Sequence, residues 1–425
     1  MPLRDGGVSR LDPRTAQAEE GTPEDASRRR AASARARGSD LAGVSAEVPV
    51  EVEGQDEDEG RFQDEEQGQV RDQGLIEDEG QVRDESEGQG EGEGEGDVEG
   101  DIADAVDAAW PFRRRAPAVP LARTNGLLAH RSGRALLGAA IDYAGLFPPA
   151  SLDLATVVAN YRAYRDGPDA WALGRLVVPA AKLQALAAEG ADAWRADGGR
   201  GASPWRISAL SGPDASADAA SIAEFNAAHA PLAMVDSVES RATSIEQVQQ
   251  LAGTFDELQH FVEIPLAVDV VPLLAAIQAI GARAKMRTGG VSPDAFPAAR
   301  DVARFLHGCS VLGLAFKATA GLHHPMRGEY RLTYAPDAPH GTMFGYLNVF
   351  LAAAQARDGA PLDAILRTLE GRERAMLGIH DDEIRWEGGR ASQAAIATMR
   401  HDFALAFGSC SFREPLDDLG TLYAT

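Results

Sequence analysis

The sequence predicts a (β/α)8 barrel preceded by a long acidic tail. Three observations carry that expectation: an abrupt change of composition near residue 127, seven short apolar runs beyond it, and Ala-rich helical patterns between the runs. Residues 1–125 are expected to be disordered. Residues 51–100 hold 21 acidic residues against three arginines, a net of −18 in a 425-residue chain whose total is −24. A segment so charged and so poor in apolar side chains cannot offset its ordering entropy by burial. "QVRD" recurs at Gln69–Asp72 and Gln81–Asp84 as low-complexity drift, and the clusters Arg28–Arg30 and Arg113–Arg115 read as parts of a solvated tail rather than a nucleic-acid surface.

Residues 127–425 are expected to form a single α/β domain. The apolar runs are "GAAIDYAGLF" (138–147), "GRLVVPA" (174–180), "WRISAL" (205–210), "PLAMVDS" (231–237), "HFVEIPL" (260–266), "ARAKMRT" (282–288) and "VLGLAFKATA" (311–320). Their starts lie 36, 31, 26, 29, 22 and 29 residues apart, the length of a strand, a helix and two loops. Near-continuous apolar strands alternating with helices imply a parallel sheet covered on its outer face. "MFGYLNVFLAAA" (343–354) is the candidate eighth strand, although it also suits a helix; without it, an open doubly wound sheet is the alternative. Of the helical stretches, "SLDLATVVANYRAYRD" offers Ser151 as a cap, and "SPDAFPAARDVARFLHG" offers Ser292 as a cap, Pro293 at the first turn and Gly308 as a stop. Two more helices are expected at 361–370 and 391–407, followed by "FGSCSF".

Composition excludes several classes. No run of 18 apolar residues occurs and the N-terminus lacks an apolar signal core, so a soluble cytoplasmic protein without membrane or nucleic-acid partners is expected. Cys309 and Cys410 are too few for a disulfide framework and read as small buried residues.

Lysine usage is the sharpest chemical signal. Of 41 basic residues only Lys182, Lys285 and Lys317 are lysines; the other 38 are arginines. A lysine retained against that background suggests work a guanidinium cannot do, such as nucleophilic attack or a tunable point charge. Lys285 and Lys317 stand at the C-terminal ends of predicted strands, where barrels carry their active sites, whereas Lys182 merely opens a helix.

Around them gather further candidates. "KMRTGG" could cradle a phosphate or carboxylate through Lys285, Arg287, Thr288, Gly289 and Gly290, or be a glycine-dependent turn. Glu263, Asp142 and the pair Asp236 and Glu239 fall near strand ends and could move protons, pair with the lysines or hold a divalent metal. His323 and His324 are adjacent, so one is expected to act as a catalytic acid/base or a ligand and the other to be structural.

The peptides "KMRTGG", "FKATAGLHHP" and "FGSCSF" resemble those of a family of bacterial proteins with no assigned activity, over roughly residues 130–425. Locally, "KATAG" (317–321) is similar to the K-T-S-T-G strand end of deoxyribose-phosphate aldolases, which are (β/α)8 barrels. That resemblance implies an imine-forming Lys317. It departs from the family in "LHHP" and in having no lysine on the following strand, leaving Lys285 as the second lysine. The sequence therefore supports an enzyme acting on a small anionic carbonyl compound, lyase- or aldolase-like, with no resident cofactor. Lys317, Glu263, His323 and His324 are the catalytic candidates. The alternatives are a divalent-metal lyase or hydrolase using Glu239, Glu263 and a histidine, and a non-catalytic barrel that binds a metabolite or partner.

Overall fold

A computed structural model describes residues 130–372 and 377–422; the acidic tail, its repeat and its arginine clusters lie outside the described residues. The barrel strands are β1 (Ile141–Tyr143), β2 (Leu173–Pro179), β3 (Trp205–Leu210), β4 (Ala233–Arg241), β5 (Gln259–Glu263), β6 (Arg283–Arg287), β7 (Phe316–Thr319) and, after five short strands outside the barrel (β8–β12), β13 (Ala404–Ser409). Each pairs in parallel with its neighbours and β13 lies between β7 and β1, closing an eight-stranded barrel. The expected (β/α)8 class is therefore the observed one, and the open sheet is not. No helix among the described residues is long and apolar enough to cross a membrane.

The helices around the barrel follow from local sequence. α1 (Arg131–Leu137) precedes β1, and α2 (Leu154–Asp166) starts where Asp153 accepts from the Thr156 N–H at 2.8 Å. The cap is thus Asp153 and not Ser151, which lies three residues before the helix with φ +46°. α3 (Leu183–Gly199), α4 (Ala215–His229), α5 (Ile245–Gln250) and α6 (Val270–Ala279) follow, and Lys182 sits exposed in the short turn before α3.

α7 (Ala299–Leu312) departs from expectation at both ends. The chain makes one short turn at Pro293–Ala295, is broken before Pro297, and begins its α-helix only at Ala299. It runs through Gly308 and stops at Gly313, whose φ of +64° is the left-handed conformation of a helix terminus. β8 (Gly328–Arg331) and β9 (His340–Met343) form a small antiparallel pair after β7, followed by α8 (Tyr346–Arg357) and α9 (Leu362–Glu370). A three-stranded antiparallel sheet, β10 (Gly378–Ile379), β11 (Glu383–Trp386) and β12 (Gly389–Ser392), leads into α10 (Gln393–Asp402). α11 (Arg413–Leu422) follows β13.

The expected eighth strand at 343–354 is mostly α8, a helix buried on nearly all sides, and strand eight is "ALAFGS" at 404–409, which overlaps the end of the helix expected at 391–407 and the start of "FGSCSF". Ala and Leu carry little strand preference, so only the tertiary position makes this segment a strand. Packing fixes it there. Phe407 of β13 stacks on Tyr346 of α8, centroids 5.1 Å apart, and meets Phe350 at 5.8 Å. On α10, the buried Arg400 donates to the carbonyls of Leu136 (2.7 Å) and Gly138 (3.2 Å), tying β13's leading helix to the segment that enters β1.

If β13 is a true closing strand, Phe407→Ala removes a fully buried ring from the seam. The expected loss is about 3–5 kcal/mol of unfolding free energy, measurable by chemical denaturation. A loss below about 1 kcal/mol, typical of a surface change, would place β13 outside the core.

Candidate functional site

The C-terminal mouth of the barrel holds a cavity of about 280 Å³, lined among others by Glu239, Lys285, Arg287, Lys317, His323 and Cys410. Register explains why the charges meet. Glu263 on β5 is the Cα partner of Lys285 on β6, which is the partner of Lys317 on β7, so three adjacent strands present charged side chains at one level. Alternation sends these inward and leaves Ala284, Met286, Phe316 and Ala318 to the apolar core.

The result is a row of alternating charges across the barrel. Lys317 Nζ donates to Asp142 Oδ2 at 2.5 Å and to Glu239 Oε1 at 2.7 Å. Lys285 Nζ lies 2.8 Å from Glu239 Oε2 and 2.8 Å from Glu263 Oε2. Arg287 Nε donates to Glu263 Oε1 at 3.1 Å. Two further donors complete the carboxylates: Ser208 Oγ to Glu239 Oε1 at 2.7 Å, and the Arg175 backbone N–H to Asp142 Oδ1 at 2.7 Å. Every member is buried except Arg287, whose side chain is 51% exposed at the rim.

Burial alone would lower the pKa of Lys317, but Asp142 and Glu239 outweigh it and the net shift is upward. The same contest runs in reverse for the carboxylates. Burial raises Glu239 and Glu263, yet Lys285 with Lys317 pulls Glu239 far down, and Lys285 with Arg287 pulls Glu263 down. These shifts favour the ammonium of Lys317 and the carboxylates of Glu239 and Glu263.

The two histidines part company. His323 lines the cavity, and its Nδ1 lies 2.9 Å from Glu414 Oε2 and 3.9 Å from Cys410 Sγ. Burial disfavours its charged form, but Cys410 and Glu414 outweigh burial and raise it well above the usual histidine range. His324 instead stacks on Tyr330, centroids 3.6 Å apart, and pairs with Asp418 at 2.5 Å, away from the cavity lining.

"KMRTGG" divides in the same way. Lys285, Arg287 and Gly290 line the cavity. Thr288 is fully buried and its hydroxyl donates to the carbonyls of Ala320 (2.6 Å) and Thr319 (3.2 Å), so it braces the β7 loop rather than facing a ligand. A Cβ on Gly289 would collide with the ring of Phe296, which makes the glycine a packing requirement. The same ring lies 2.9 Å from a Cβ built on Gly321, whose φ is +71°. No α-helix starts at Gly289–Gly290, so the helix-terminus part of the anion cradle is absent there. Asp236, grouped with Glu239 by the sequence, lies nearer the start of β4 and binds Arg175 at 2.6 Å and Arg206 at 2.6 Å. That cluster belongs to the opposite end of the strand, where barrels place stability rather than chemistry.

Sequence reasoning missed Cys410 and Glu414, which meet His323, and Tyr334, which meets both of them. Tyr334 Oη lies 3.4 Å from Cys410 Sγ and donates to Glu414 Oε2 at 3.1 Å. Among the described residues, no group of three or more His, Cys, Asp or Glu side chains is arranged to hold a metal. No protein-family model matches the sequence, and no curated protein matches it.

The charge row makes stability depend on pH at both extremes. Glu239 and Glu263 are lowered, so their contribution is present above their ordinary 4.5 and is lost as pH falls through their folded values; Lys317 is raised, so its contribution is present below its ordinary 10.5 and is lost as pH climbs through its folded value. Calorimetric Tm should form a plateau between these limits, and Glu239→Gln should flatten the acid limb. Lys317→Met leaves Asp142 and Glu239 facing each other without their shared cation, with an expected loss of about 3–5 kcal/mol at neutral pH by chemical denaturation.

Proposed function

We propose that this barrel is an enzyme acting on a small anionic carbonyl compound, with lyase-like chemistry next to the carbonyl. One observation carries the proposal: the charge row Asp142–Lys317–Glu239–Lys285–Glu263–Arg287, buried except at Arg287, opens onto a cavity of metabolite size. Stability does not account for such a row, because apolar residues of similar volume in place of buried ion pairs are often neutral or stabilising. An active site does account for it.

Each residue then has a role that its position supports. Arg287, half-exposed at the rim, would hold the substrate's carboxylate or phosphate by charge-assisted hydrogen bonds. Lys317 and Lys285 would donate to the carbonyl oxygen and stabilise the enolate or alkoxide that forms there. When a lysine turns to the substrate oxygen, the carboxylate it leaves loses a cation and gains proton affinity. Glu263 or Glu239 thus becomes a better base at the moment the substrate arrives. His323, protonated and lining the cavity, would return a proton.

This favours an electrostatic Lys317 over the imine-forming one of the aldolase resemblance. An imine requires a neutral amine, and two carboxylates at 2.5 and 2.7 Å favour the ammonium. It also disfavours the metal-dependent alternative at these carboxylates: a divalent ion on Glu239 and Glu263 would have to displace Lys285 from both.

The test is calorimetric titration with a panel of 2-oxo acids, hydroxy acids and phosphorylated aldehydes, followed by turnover assays. A ligand should bind, Arg287→Ala should weaken it roughly 10- to 100-fold as expected for a hydrogen bond to a charged group, and Lys317→Arg should reduce kcat by about 10²–10³. Borohydride added with the ligand should leave Lys317 unmodified; a covalent adduct there would replace the electrostatic role by the imine one. Absence of binding across the panel would overturn the proposal.

A further inference from the structure

Cys410 follows directly on the end of β13, and its neighbours set it apart from the chain's other cysteine. Cys309 is fully buried in α7, where burial pushes its thiol up and the surroundings are apolar. Cys410 faces the cavity that Lys317 and Lys285 floor, with His323, Tyr334 and Glu414 around it. Glu414 Oε2 accepts from both His323 Nδ1 and Tyr334 Oη, so one carboxylate orients the two groups that touch the sulfur. Glu414 is itself anchored, since its backbone N–H donates to Ser411 Oγ at 3.1 Å. Three segments of the chain converge here: the β7 loop, the stretch between β8 and β9, and the start of α11. A sulfur serving only as core filling would not require this hydrogen-bonded surround.

We propose that Cys410 is a nucleophile of this cavity, attacking the carbonyl carbon of a small anionic aldehyde or ketone. The Sγ–C bond forms as the C=O π bond breaks, and its electron pair moves to the oxygen. The thiol proton passes to Tyr334 Oη while the Tyr334 proton passes to Glu414. The resulting alkoxide is stabilised by the lysine ammonium groups on the floor. No oxidant or co-reactant enters, and the reverse sequence regenerates the thiol. In this step, apart from the proton it would return in the reaction above, His323 is a positioning residue whose Nδ1 holds the Glu414 carboxylate that Tyr334 also meets. The proposal shares a cavity with the reaction above, but its test requires no substrate.

The test is alkylation of the full-length protein with iodoacetate and with iodoacetamide, followed over time by peptide mass mapping. Cys410 should be labelled at least tenfold faster than Cys309 in the same native sample. Iodoacetate should also outpace iodoacetamide, the reverse of their order with a simple free thiol, because the cavity is lined by Lys285, Lys317 and Arg287. Tyr334→Phe, which removes a single hydroxyl, and His323→Gln, which keeps a hydrogen-bonding side chain, should each slow Cys410 labelling about tenfold and shift its pH–rate profile, with far-UV circular dichroism unchanged. Labelling of Cys410 no faster than Cys309, or a folded Tyr334→Phe protein with wild-type rate and profile, would overturn the proposal. Since neither reagent is a substrate, failure to find a carbonyl ligand bears on the reaction and not on this result.

Discussion

The Lys317 ammonium, shared by Asp142 and Glu239, is the interaction on which the rest of the barrel interior depends. A lone charge buried there would cost several kcal/mol, so each member of the row is tolerable only because its neighbours carry the opposite sign. Three acids and three bases alternate, and each Glu239 oxygen is met by a different lysine. The arrangement also fixes geometry. Glu263, Lys285 and Lys317 are in register on β5, β6 and β7, and a slip of one residue on any strand would turn a charge outward into the apolar layer beneath the helices. Register, barrel closure and site chemistry are thus one constraint.

Seven of the eight barrel strands were legible because their signal is local: a short apolar run, a turn, then a helical pattern, repeated at nearly constant spacing. The eighth was not. "ALAFGS" has only Phe407 to favour a strand and becomes one through that ring against Tyr346 and through Arg400's grip on the carbonyls before β1. The opposite error at 343–354 has the same origin, since an apolar stretch buried on all sides has neither helical nor strand periodicity to read. Pro297 likewise moved the start of α7 away from the attractive Ser292–Pro293 pair.

The site shows the same division. Choice of residue type was informative: two of the three lysines in an arginine-rich chain lie side by side in the barrel, with Glu263, Glu239 and Asp142 on them. What the sequence could not supply was orientation. Thr288 and Gly289 belong to a motif that looks like an anion cradle, yet one braces the β7 loop and the other makes room for Phe296. Asp236 and Glu239, three residues apart on β4, serve opposite ends of the strand. Cys410, Tyr334 and Glu414 come from segments whose proximity to His323 exists only in the folded chain, and a lone cysteine in "FGSCSF" offered no local hint of its neighbours.

The late arrival of β13 has a consequence for how the cavity comes into being. The charge row is complete within β1 to β7, but the sulfur and the carboxylate that orients His323 stand just beyond β13 and at the start of α11. β13 is the strand that stands between β7 and β1, and it carries the chain straight into the Cys410 side of the cavity lining. Closure of the sheet and the Cys410 side of the cavity therefore depend on the same strand.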